Sequence, residues 1–161
     1  MVTVRAIPAR LRRSAAVAAL CGGLVLFTAG VSHADAKSAA DKLLSEASFQ
    51  TNSMVSMMVD SCPGGDHGKN PSGYEKFAKQ GNEVIKQLGD LRVALAKEKG
   101  KPGNFEQQID AILAGLDGMV ATLKQNCPGG AHGKDPPNYG ALLVAKQNVV
   151  YKMDIVETLF E

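Results

Sequence analysis

Residues 62–74 read CPGGDHGKNPSGY and residues 127–139 read CPGGAHGKDPPNY, the same segment repeated at an offset of 65 residues. A segment copied at that distance constrains the fold strongly, because the elements that flank the first copy are expected again around the second. The likeness extends upstream, where Met54-Val55 matches Met119-Val120, and fades downstream, where Val84 matches Val149. The expected unit is a helix, this loop and a second helix, present twice.

Apolar periodicity supports that division. One stripe runs Ala40, Leu44, Ala47, Thr51, Met54, Met58 and Cys62, with Thr51 its one polar member. A second runs Tyr74, Phe77, Gly81, Val84, Leu88, Leu91 and Leu95. The third runs Phe105, Ile109, Ile112, Leu116, Met119 and Leu123, and the fourth Tyr139, Leu142, Lys146, Val149, Met153, Val156 and Phe160. Spacings of three and four put each set on one face of a helix, and strand alternation is absent. Cap chemistry sets the ends. Asn70-Pro71 and Asp135-Pro136 each place a capping oxygen before a proline whose missing N–H is no loss in a first turn. Asn104 with Gln107 resembles a capping box, and the Pro-Gly-Gly triplets at 63–65 and 128–130 stop the helices before them. The pattern predicts helices at about 37–61, 71–99, 104–126 and 136–160. Short connections between long amphipathic helices predict an all-α protein, an antiparallel up-down-up-down four-helix bundle built from an internal duplication of a helical hairpin.

The 161-residue chain begins differently. Arg5, Arg10, Arg12 and Arg13 precede an apolar run from Ala15 to Val31, and Ala34-Asp35-Ala36 has small residues at cleavage spacing. Residues 1–36 are therefore expected to be a cleaved export signal, with cleavage after Ala34 fitting about as well, and 37–161 the bundle domain. An uncleaved membrane anchor is the alternative, because the run reaches the lower limit for a spanning helix. Arg12-Arg13 is a weak twin-arginine match, and Leu20 before Cys21 is a poor lipoprotein signature. Residues 1–34 hold four of the 18 Lys and Arg residues and none of the 16 Asp and Glu, so the net charge of +2 becomes −2 from Asp35 onward. No basic stripe with interleaved aromatics is left to neutralise phosphates, which argues against a nucleic-acid partner. The expected location is periplasmic or extracellular, with membrane contact only through an uncleaved signal.

Beyond residue 36 every Cys and His lies in the copied loops: Cys62, His67, Cys127 and His132. In an oxidising compartment Cys62 and Cys127 are expected to form a disulfide that clasps the two halves; a four-coordinate zinc site made with the histidines is the alternative. His67 and His132 are then two solvated loop imidazoles, or a pair that symmetry brings together to bind copper, zinc or the iron of a haem. Asp66 becomes Ala131 in the second copy, so a carboxylate is not a symmetric member of such a site, and no Cys-x-x-Cys-His motif exists for covalent haem. Met54 and Met119 are expected core fillers, joined on the first helix by Met57 and Met58, and are secondary ligand candidates through their thioethers. Gly68-Lys69 and Gly133-Lys134 fail as phosphate loops, since Pro63 and Pro128 stand where a glycine is required. Lys146 interrupts an apolar stripe where Gly81 stands in the other copy; a stem lying across the bundle beside Gly81 is one reading, and snorkelling to solvent is the expected one. No Glu-x-x-His pair and no nucleophile beside a base is visible. The expected product is an exported non-catalytic bundle that binds a transition metal or haem at the copied loops. The rival expectation is a structural or protein-interaction bundle whose loops are a clasp and a contact surface.

Overall fold

A computed structural model describes residues 32–61, 73–127 and 139–161, and all the regular structure among them is helical. Four helices follow in order: α1 His33–Ser61, α2 Tyr74–Lys97, α3 Phe105–Asn126 and α4 Tyr139–Thr158. Together they form a four-helix bundle. Residues 1–31 of the expected export segment, Cys62, His67 and His132 lie outside the described residues.

Local chemistry explains the ends. The Ser32 hydroxyl accepts the Asp35 backbone N–H at 3.2 Å and donates to the Asp35 carboxylate at 2.6 Å, a reciprocal cap that starts α1 four residues before the expected position. Both cleavage positions expected from the sequence, after Ala34 and after Ala36, fall within this first turn. At Glu98 the backbone turns extended, with φ −76° and ψ 148°, so α2 stops at Lys97 rather than 99. The Lys37 ammonium donates to the carbonyls of Ala96, at 3.3 Å, and Glu98, groups that a helix end leaves without intrahelical donors. The capping box expected at Asn104 does not form. With φ −108° and ψ 18°, Asn104 lacks the extended conformation that aims a capping side chain at the first turn, and its side chain makes no cap hydrogen bond. Its carbonyl accepts the Gln108 N–H, the Pro102 carbonyl accepts the Phe105 N–H, and the Lys101 ammonium lies 5.2 Å from the Phe105 ring centroid. The last turn after α4 tightens, with the Phe160 N–H donating to the carbonyl of Glu157.

Every described member of the four apolar stripes is buried except Tyr74, Lys146 and Phe160, which are half-buried. The buried positions of α1 recur 65 residues later in α3: Ala40 with Phe105, Leu44 with Ile109, Ala47 with Ile112, Met54 with Met119. At Ala40 with Phe105 and Ala47 with Ile112, α1 offers the smaller side chain and α3 the larger. Thr51, inside this core, donates its hydroxyl to the Ala47 carbonyl at 2.9 Å and leaves no buried donor unmet. Helix α1 packs on α2 and α4, and α2 also packs on α3; α3 and α4 are the least closely packed of these neighbours. Side chains fix the neighbours: Arg92 of α2 meets Asp41 of α1 at 2.8 Å, Lys152 of α4 meets Glu46 of α1 at 3.6 Å, and Thr122 of α3 bonds Gln80 of α2 at 2.9 Å. No helix among the described residues is long and apolar enough to cross a membrane.

Lys146 does not lie in the space at Gly81. The space beside Gly81 is filled by Val55 and Met119: a Cβ added there would stand 2.4 Å from Val55 Cγ2 and 3.2 Å from Met119 Cε. Lys146 instead reaches across to α3 and pairs with the carboxylate of Asp117. Its side chain is 25% exposed and that of Asp117 is 68% exposed, so the pair is largely solvated and worth between zero and about 1 kcal/mol. Lys146→Met, which extends the apolar stripe, is expected to change the urea-unfolding free energy by less than about 1 kcal/mol. A loss of several kcal/mol in that titration would show that the ion pair is a structural contact.

Candidate functional site at the loop end

The C-terminal ends of α1 and α3 and the N-terminal ends of α2 and α4 flank the copied loops. Gly73, the last loop residue before α2, has φ +77°, a left-handed conformation that side chains rarely adopt. A Cβ at Gly73 would stand 2.4 Å from Cγ of Asn126, the last residue of α3. The start of α2 is therefore seated against the end of α3, and only glycine permits the approach. The corresponding residue of the second copy is Asn138, the other residue type that tolerates this conformation.

A polar chain continues inward from that contact. Asn126 Nδ2 donates to the Thr122 carbonyl at 2.8 Å, and the buried Thr122 hydroxyl donates to Gln80 Oε1 at 2.9 Å. On the other side, the Lys124 ammonium lies 5.0 Å from the ring centroid of Tyr139, the first residue of α4. The end of α3 thus touches the starts of both α2 and α4. Cys127 follows immediately. It is 3% exposed, and its N–H donates to the Leu123 carbonyl at 2.8 Å. Its sulfur is in a disulfide, and since Cys127 is the one cysteine among the described residues, the other half-cystine lies outside them.

Met54 and Met119 are both fully buried in the single apolar core, with the Met119 methyl against Gly81. Each stands eight residues before its cysteine in the sequence, about 12 Å along a helix. Among the described residues no three His, Cys, Asp or Glu side chains are grouped to hold a metal ion. The expected imidazoles are outside that set. The Lys86 ammonium on α2 is raised above its ordinary value, first by a hydrogen bond to Asp90 and then by the charges of Asp90 and Glu83. That pair is a solvated contact one turn apart on one helix, with nothing of a poised acid or base about it.

Sequence reading located Met54 and Met119 on the buried faces and missed the Gly73, Asn126, Thr122 and Gln80 assembly. Thr122 stands three residues after Met119, on the buried face, so its position was legible. Its partner Gln80 was not, because nothing local links residues 42 apart.

The described chain is an all-helical four-helix-bundle protein with the polar assembly and the half-cystine at one set of helix ends. Comparison with protein-family models, with curated proteins and with solved structures finds no match to this chain.

Proposed function

We propose that this is an exported binding protein, not an enzyme, whose copied loops hold a transition metal, copper or zinc, or a haem iron between His67 and His132. The observation that carries the reading is the repetition itself: the two histidines occupy equivalent positions in loops copied within one chain. The contacts of Gly73 with Asn126 and of Lys124 with Tyr139 support a common end for both loops. In this reading the helices run antiparallel, up-down-up-down, as a duplicated hairpin. The recurrence of buried positions at the 65-residue offset supports it, as does the meeting of Lys37 near the start of α1 with the carbonyls at the end of α2.

Cys127 takes Cys62 as its disulfide partner in this proposal, leaving the histidines rather than the thiols as ligands. A clasp formed before the ligand arrives lowers the cost of ordering the loops. Neutral imidazole is the ligating form, so affinity falls as pH drops through the histidine range, near 6.5 for an unperturbed group. Met54 and Met119 are the secondary ligand candidates for copper(I), at a different depth from the imidazoles. The disulfide at Cys127 also favours the second reading, a structural or protein-interaction bundle in which the loops are a clasp and a contact surface.

Titration of the purified chain with copper(II), zinc(II) and haemin separates the two. His67→Ala or His132→Ala is expected to weaken binding at least tenfold, and the double variant to abolish it with the helical circular dichroism unchanged. Wild-type binding no tighter than that of the double variant would falsify the ligand reading and leave the interaction bundle.

A further inference from the structure

The first turn of α1 is tied down from several sides. The Ser32 hydroxyl accepts the Asp35 N–H and donates to the Asp35 carboxylate, and the Ser32 carbonyl accepts the Ala36 N–H at 3.0 Å. Ala36 is 3% exposed. One residue on, the Lys37 ammonium donates to the carbonyls of Ala96 and Glu98 at the end of α2. The His33 ring meets Phe160 edge-on with centroids 6.0 Å apart, and Phe160 in turn lies 5.9 Å from the buried ring of Phe105. Residues 32–37 are thus part of the folded domain, in contact with α2 and with the chain beyond α4. A terminal segment that frays freely has no such ties.

That turn contains the peptide bonds after Ala34 and Ala36, the two positions at which the export signal is expected to be cut. A protease takes its substrate extended, over several residues on each side of the bond, and a helical turn with its N–H groups already bonded is not in that form. Cutting of the folded chain therefore follows the small population in which the turn has opened. Opening here gives up the Ser32 cap, the burial of Ala36, the Lys37 bonds and the contact of His33 with Phe160 together. Cys127 gives an independent observation. It is in a disulfide and buried at the end of α3, and such bonds form in an oxidising compartment, so a chain folded in a reducing cytoplasm would fold without it. We infer that the chain crosses the membrane unfolded and is cut while residues 32–37 are still extended, and that the folding of α1 then closes the junction to any later cut. The inference rests on the export reading of residues 1–36. It excludes the route that Arg12-Arg13 would serve, in which a chain folds first and crosses whole, because that route needs a junction outside the fold.

Two measurements on the full chain test it. In the first, purified uncut chain, folded and with its disulfide oxidised, is incubated with a bacterial signal peptidase in a non-denaturing detergent, and the new N-terminus is read by mass spectrometry. Leu88→Asp, which puts a carboxylate at a fully buried position of α2 and leaves the signal and the junction unchanged, supplies the unfolded substrate, checked by loss of the helical circular dichroism. Leu116→Asp takes its place should that chain keep its helices. Cutting after Ala34 or Ala36 is expected to be at least about a hundredfold faster for the unfolded chain than for the folded one. In the second, Arg12→Lys together with Arg13→Lys, which keeps the charge and breaks the arginine pair, is expressed in a bacterial host; the cut chain is expected outside the cytoplasm in the wild-type amount. Equal cutting of the folded and unfolded chains overturns the inference, as does an arginine-pair variant that stays uncut in the cytoplasm. A chain cut in neither state removes the export signal itself and the inference with it, whereas the first two outcomes leave that signal standing, so the two failures give different results.

Discussion

Cys127→Ala is expected to lower the unfolding free energy by about 4 kcal/mol if its disulfide partner is Cys62, the loop-closure value for a crosslink that would then span 65 residues. Cys127 is 3% exposed at the end of α3, so alanine rather than serine is the informative replacement; a buried hydroxyl would add a desolvation cost of its own. The crosslink acts mainly on the unfolded chain, whose ends it holds together, and the folded bundle is expected to keep its helical spectrum. If Cys62 is the partner, Cys62→Ala and the double variant should show the same loss as Cys127→Ala, and dithiothreitol should bring the wild type to the same level in urea. A Cys62→Ala chain as stable as the wild type would break the pairing. The effect also reaches the proposed site, because loops no longer held together must be ordered by the ligand itself, and binding of copper(II) or haemin should weaken in the same variants.

Phe77→Ala is expected to cost about 3 to 5 kcal/mol, the range for removing a buried aromatic side chain from a packed core. Phe77 is fully buried one turn into α2, and its N–H donates to the Gly73 carbonyl at 3.0 Å, so the cavity opens directly beneath the seat of the first loop. The position 65 residues later is Leu142, also fully buried. Phe77→Leu, which places the residue of one copy in the other, should therefore cost less than half as much as Phe77→Ala. Chemical unfolding measures both; a leucine variant as unstable as the alanine variant would mean that the two halves of the core are not packed alike.

Which residues form the core was legible in the chain because a helix returns to the same face every three or four positions. The stripe through Leu44, Met54 and Met58, and its counterpart through Ile109, Met119 and Leu123, needed nothing but that period. The stop after α1 at Ser61 was likewise local, set by the Pro-Gly-Gly that follows. Local reading failed where a side chain had two uses. Asn104 has the right residue type for a cap and the wrong backbone conformation to act as one, and Ser32-x-x-Asp35, a capping pattern in plain view, was read as part of a cleavage region.

What the chain alone determined is thus the helices and the face each one buries, since both depend on residues within one or two turns. Only the tertiary structure decided that Lys146 pairs with Asp117 while Val55 and Met119 fill the space at Gly81, that Gly73 sits on Asn126, and that Gln80 receives the Thr122 hydroxyl. Those contacts join residues 26 to 53 positions apart, and their existence depends on how close two helix axes come and at what rotation. Periodicity specifies the side of a helix that is buried; the neighbour that covers it, and the depth at which each side chain meets it, follow from packing the four faces together.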